Sequence, residues 1–327
     1  MKRPIQVHDP LASRRAALRL VVSPAPPAAH KAPPVKLLAS DSAEDAAVCI
    51  FSSALDHFEA NIPPLRAGEG AEAVHQMRVA LRRLRAAIGL FSEALSGPAL
   101  DAARERAKNL ASILGAARNW DVFCEMLEGG PSDALANEPG FYALLDAVEL
   151  RRAIGHRAAR EEIDDERTEV FVAQFRKAIA NRDWTAAPRA QDEKSAKDFA
   201  RSALTRLRKR VLKKSKGLAR LTAEERHEAR IALKKARYGA EFFQSLFQDR
   251  KEAEAYSASL AKMQDGLGVF NDMETANALL DEIDTEGGAT LRASGFVRGW
   301  FAHAAQAGTT HARKSEKRLK KLEPFWA

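Results

Sequence analysis

Residues 74–91 read VHQMRVALRRLRAAIGLF, and residues 226–243 read RHEARIALKKARYGAEFF. The stretches align without a gap, His75 on His227, 152 positions apart. At about 100° per residue, His75, Arg78, Arg82 and Arg85 form one row on a helical wheel. Met77, Leu81, Leu84, Ile88 and Phe91 form the adjoining apolar stripe. A basic row beside a core-facing stripe lines an inter-helix cleft more readily than the far solvent side, while Arg83 points elsewhere. The second copy repeats the design. His227, Arg230, Lys234 and Arg237 make its row, Lys235 takes the position of Arg83, and Leu233, Ala236, Ala240 and Phe243 supply its stripe.

A second echo follows each helix. LGAARNWDVF (114–123) returns as LGVFNDMETA (267–276), with Gly115 and Gly268 separated by 153. Two motifs repeating at nearly one spacing indicate an internal duplication. The chain therefore reads as an all-α protein of two four-helix bundles, about residues 41–185 and 190–327, related by a pseudo-twofold axis with a shared basic cleft. After an N-cap at Asp41 or Ser42, further helices are expected over 71–96, 99–128, 139–181, 194–219, 223–248, 251–284 and 289–322. Breaks fall at GGPSD and NEPG (129–140), at RDWTAAPRAQD (182–192) and at EGG near 286. No strand-type alternation stands out. Residues 1–40, with SPAPPAAHKAPP, read as an extended Pro/Ala-rich linker.

The charge pattern carries the functional reading. A solvated helix face brings acids at i±3 or i±4, each pair adding a few tenths of a kcal/mol. None lies between Val74 and Ser92, and the second copy has only Glu228 and Glu241. Arg78 and Arg82 repel unless an anion sits between them, so an anion site is the better reading. HxxR lacks the i+4 partner of a HExxH zinc site, and a ring of Arg repels a cation. His75 and His227 thus read as anion donors or orienting groups, with no metal and no cofactor expected.

Composition agrees. Lys and Arg number 52 against 44 Asp and Glu, a net charge of +8 that favours polyanionic partners. Cys49 and Cys124 have no ligand spacing, no apolar run approaches a membrane span of ~20 residues, and no secretory leader is evident. A cytoplasmic protein is expected. Other basic stretches are weaker candidates: Lys213 and Lys214 either extend the site or form ordinary surface. Residues 314–326 read as a solvated last helix, with Phe325 and Trp326 packing on the bundle. Arg118 either pairs with Asp121 or reaches the cleft. No phosphate-binding loop, nucleophile elbow or paired-carboxylate site is present, so no enzyme activity is expected.

These residues resemble the CHAD family, the conserved-histidine α-helical domain. Its HxxRxxxRRLR helix corresponds to His75–Arg85, and its HxxRxxxKKLRY helix to His227–Tyr238, with Ala236 in place of Leu. The resemblance covers about residues 42–327. It implies a basic cleft or pore that binds inorganic polyphosphate, and association with polyphosphate-containing granules and their proteins. Carried over residue by residue, the contacts would be His75, Arg78, Arg82, Arg83 and Arg85, with His227, Arg230, Lys234, Lys235 and Arg237, and Arg118 beside them. Residues 10–39 faintly resemble the tail of a CYTH triphosphatase domain, without its ExExK signature. The alternatives are a single-stranded nucleic-acid binder, for which nucleic acid is expected to bind only weakly, and a triphosphatase-related accessory protein.

Overall fold

The computed structural model describes residues 27–68, 70–186, 195–217, 221–247, 250–284, 288, 290–321 and 323–327, with backbone alone at 270, 304–313 and 315. The helices are α1 (Ala43–Ala60), α2 (Ile62–Arg66), α3 (Gly70–Phe91), α4 (Pro98–Glu128), α5 (Pro131–Leu135) and α6 (Phe141–Asp164). After them come α7 (Glu166–Asn181), α8 (Ala196–Lys214), α9 (Ala223–Phe243), α10 (Arg250–Asp284) and α11 (Leu291–Lys321). The strands among the described residues are β1 (Leu95–Ser96) and β2 (Thr185–Ala186), a two-residue antiparallel bridge.

Local chemistry sets the boundaries. Ser42 caps α1 in a reciprocal box with Asp45, and Thr222 caps α9 in the same way with Glu225. Pro98 and Pro131 sit in the first turns of α4 and α5, where a missing N–H costs nothing. The single helix expected over 139–181 is divided. Asp165 is extended, with φ −68° and ψ 136°, and its carboxylate accepts the Arg167 backbone N–H at 2.8 Å, so a new helix starts there without Gly or Pro.

Helix neighbours repeat between the halves. In the first, α1 packs on α3, α3 on α4 and α4 on α6; in the second, α8 packs on α9, α9 on α10 and α10 on α11. Each also touches its counterpart: α1 meets α8, α3 meets α9, α4 meets α10 and α6 meets α11. The two motif helices thus lie side by side at the centre. Phe91, ending the first, stacks on Phe199 of α8 at 4.7 Å and meets Phe243, ending the second, at 6.2 Å. Full burial of such a ring contributes about 1.5–3 kcal/mol.

The apolar cores do not divide at the boundary between the halves. One cluster runs from α1, α3 and α4 into α8, α9 and the first part of α10. The other joins Trp120, Phe123 and Phe141 to Leu280, Val297 and Phe301. Phe325 and Trp326 are buried at 5% and 3% exposure, and the Trp326 indole N–H donates to Thr205 Oγ1 at 3.0 Å.

Residues 27–38 are extended but pinned to the bundle rather than free. The His30 N–H donates to Asn61 Oδ1 at 2.9 Å, the Leu37 N–H donates to Ser245 Oγ at 3.0 Å, and Val35 and Leu37 are buried. Residues 1–26, most of the CYTH-like stretch, lie outside the described residues, as do 187–194 of the mid-chain connection and 285–287 of the EGG break.

Candidate functional site

A cleft of about 330 Å³ opens where α3 and α9 meet α4 and α10. His75, Arg78 and Arg82 reach it from α3, Arg118 and Asn119 from α4, Arg230 and Lys234 from α9, and Asn271, Asp272 and Thr275 from α10. Six of the eleven carried-over residues therefore meet in one place.

The repeated glycines explain why the two motifs recur together. The Arg78 Nη1 donates to the Gly115 carbonyl at 2.9 Å, and a Cβ on Gly115 would stand 3.6 Å from the Arg78 guanidinium carbon. On the other side, a Cβ on Gly268 would stand 3.4 Å from Arg230 Nη1. Each LG helix thus leaves a seat for the arginine of the preceding HxxR helix. A methyl group fits there in ordinary contact, whereas a longer side chain would push the guanidinium out of line.

The cations crowd one another. Burial, then Arg82 and Arg118, pull the Arg78 pKa down to about 10. Burial, then Arg230, Arg82, Arg78 and Arg237, pull Lys234 down to about 8. Burial and the Arg118 charge also lower His75, which favours its neutral form. Arg82 Nε and Arg230 Nη1 are buried with no hydrogen-bond partner among the described residues. Opposing this, Asp272 is the one carboxylate lining the cleft among the described residues; burial raises its pKa while Arg230 lowers it. Arg118 is tied at the rim to Glu125 by two hydrogen bonds of 2.9 and 3.3 Å. It does not pair with Asp121, which is buried and takes hydrogen bonds from Arg152 and His156.

Five carried-over residues lie outside this cleft. Arg83 is 1% exposed, ion-paired to Glu241 with its guanidinium 5.3 Å from the Phe242 ring centre. Its angle on the wheel, away from the basic row, accounts for this. His227 is exposed near the start of α9, Arg85 stands close to Arg104 and Glu105, and Arg237 lies 5.5 Å from the Tyr238 ring centre. Lys235 opens onto a separate groove with Arg206 and Arg210. Lys214 pairs with Glu228 instead of joining the cleft.

The polar residues of α4 and α10 were not assigned to the site from sequence, Arg118 excepted. A signal for them exists in the second echo. Asn119 and Asp272 stand at equivalent positions, as do Arg118 and Asn271, so each copy turns two consecutive polar side chains toward the cleft. Among the described residues no helix is long and apolar enough to cross a membrane.

Comparison with known proteins agrees with the all-α fold. The crystal structure of the CHAD domain from the plant Ricinus communis is similar at a TM-score of 0.71 and 28% identity, covering 86% of this chain and 96% of that one. PptA from Streptomyces chartreusis is similar in fold, with a TM-score of 0.64 and 16% identity over 84% of this chain and 99% of that one. No curated protein matches the chain. The CHAD domain family model matches residues 49–281, a span that holds both HxxR helices and both glycine seats. The chain belongs to the CHAD domain family.

Proposed function

We propose that this protein binds inorganic polyphosphate in the cleft between α3 and α9 and catalyses no reaction on it. One observation carries the reading: four arginines and Lys234, from three helices, face a single cleft against one lining carboxylate among the described residues, where guanidinium N–H groups are buried and unpartnered. A linear polyanion supplies the missing acceptors. Arginine forks take phosphate oxygens through charge-assisted, often bidentate hydrogen bonds. The repulsion stored in the empty cleft is relieved on binding.

Two features weigh against the alternatives. Single-strand binders stack bases on aromatic faces, whereas Phe123, the aromatic residue lining the cleft, is 1% exposed, and Tyr238 is buried at 4%. Metal-assisted phosphate hydrolysis needs several carboxylate or imidazole ligands, and among the described residues the cleft lining offers only Asp272 and His75. A place on polyphosphate-containing granules in the cytoplasm, beside granule proteins, follows from the same reading.

The test is a titration with polyphosphate of graded length beside pyrophosphate and single-stranded DNA. By analogy with single strands, each neutralised charge adds about −0.7 to the slope of log K against log salt. Five cleft cations then give a slope of about −3 to −4. Reversing Arg82 and Lys234 to Glu is expected to abolish binding while the circular dichroism stays helical. Equal or tighter binding of single-stranded DNA near physiological salt would promote the nucleic-acid alternative.

A further inference from the structure

The spacing of 152 that relates α3 to α9 also relates the surroundings of Arg83 to those of Lys235. The two differ in one respect. Arg83 packs against Glu241 and Phe242. Counting back from Glu241 and Phe242 by the same spacing gives Gly89 and Leu90, so Lys235 finds a glycine where Arg83 finds a carboxylate. A Cβ on Gly89 would meet nothing within 4 Å. In place of a filled nook there is an open groove of about 200 Å³, floored by Ala86, Gly89 and Ala203 and walled by Lys235, Arg206 and Arg210.

The groove is short of negative charge. Arg206 has an exposed partner, Glu93, at 3.5 Å, while Lys235 and Arg210 form no ion pair among the described residues. Burial, then Arg210 and Arg104, hold the Lys235 ammonium below its ordinary range. Basic residues near the cleft and the groove follow one another along α3 and α9. Arg85, its Nε buried without a partner, stands about one turn of α3 beyond Arg82, and Lys234 of the cleft immediately precedes Lys235.

We propose that this groove is a second phosphate-binding site. A ligand phosphate takes, beside Lys235, Arg206 and Arg210, the place that Glu241 takes beside Arg83, and one long polyphosphate chain occupies cleft and groove together. This rests on the polyphosphate reading of the cleft. It deepens that reading into a length preference, because joining two sites through one ligand raises affinity by about 10²–10⁴ over either site alone. Short oligomers gain nothing from the second site.

Two variants test it on the full chain, each titrated with long-chain polyphosphate and with tripolyphosphate. Arg206→Gln/Arg210→Gln removes two groove charges. Gly89→Glu supplies the carboxylate that Lys235 lacks, on a helix position with room for it. Both are expected to weaken long-chain binding about tenfold or more and to leave tripolyphosphate within about twofold. The double variant is also expected to flatten the long-chain salt slope by about 1.4. Arg82→Gln/Lys234→Gln is run beside them. If it abolishes binding while both groove variants bind long chains normally, the groove is plain surface and the proposal fails alone. If the cleft variant also binds normally, the cleft reading has failed. Equal losses for tripolyphosphate and long chains in the groove variants would show that groove and cleft are one site.

Discussion

Replacing Arg83 by methionine, and separately by alanine, distinguishes a side chain that holds the fold from one that holds a ligand. Its guanidinium is buried at 1% exposure, with Nε and Nη2 unpartnered and its ion pair made to Glu241, whose side chain is 35% exposed. Burying the cation already costs free energy, as its lowered pKa reflects. Methionine fills much of the same volume without that cost. What is lost is the ion pair and a contact with Phe242 that contributes about 0.5–2 kcal/mol. Glu241, left alone, turns to water instead of remaining a buried charge. The net change for Arg83→Met is therefore expected to stay under about 2 kcal/mol. Arg83→Ala leaves a cavity between α3 and α9 and is expected to cost about 2–5 kcal/mol. At roughly 2 °C per kcal/mol for a chain of this size, the alanine variant melts about 4–10 °C lower. Thermal melts followed by circular dichroism read the stability, and titration at a temperature where all variants are folded reads affinity. Polyphosphate affinity per folded molecule should match the unmodified protein in both. A loss in Arg83→Met comparable to that in Arg82→Gln would place Arg83 on the ligand and refute the reasoning.

Three further outcomes follow from the same geometry. Lys234 titrates at about 8 in the folded chain against 10.5 as a free side chain, so the unfolded state binds more protons between those values and this group makes stability rise with pH across that window. Polyphosphate restores the charge, so affinity falls as pH rises past 8; calorimetry in buffers of different ionisation enthalpy should record proton uptake at pH 8.5 that vanishes in Lys234→Arg. Gly115→Ala is expected to raise stability by about 0.5–1 kcal/mol with binding unchanged, since its Cβ sits at an ordinary 3.6 Å from the Arg78 guanidinium. Gly115→Leu displaces that guanidinium and should weaken binding about tenfold; equal affinities for the two variants would show that the seat has no role. Trp326→Ala removes the ring packed 5.0 Å from Tyr256 and is expected to destabilise by about 3–5 kcal/mol in a thermal melt, with affinity intact.

Periodicity and repetition made most of the fold legible. The apolar stripe and basic row of α3 have a 3.6-residue period strong enough to orient the helix, and the common spacing of two motifs paired it with α9. The division at Asp165 escaped because its signal is one capping carboxylate in an otherwise helical run. In the site, the wheel angle separated Arg83 from Arg78 and Arg82, whereas the family pattern grouped all three. The angle anticipated the place of Arg83, buried on Glu241 and outside the cleft lining, which the family pattern does not separate. Asn119 and Asp272 were hidden for another reason. Neither lies in a charge run, and they reach the cleft only because α4 and α10 pack against the motif helices.

The way the two cores straddle the halves sets what a cut between α7 and α8 would do. A fragment ending near residue 186 keeps Trp120, Phe123 and Phe141 but loses Leu280, Val297 and Phe301, which cover them. The complementary fragment is left with the opposite deficit. Neither retains a closed interior, and each holds one wall of the cleft. Mixed together, the fragments have a self-recognising apolar seam that drives reassembly, and affinity for the anion would return only as the seam closes. The chain is thus expected to behave as a tethered heterodimer, with ligand binding as the readout of its assembly.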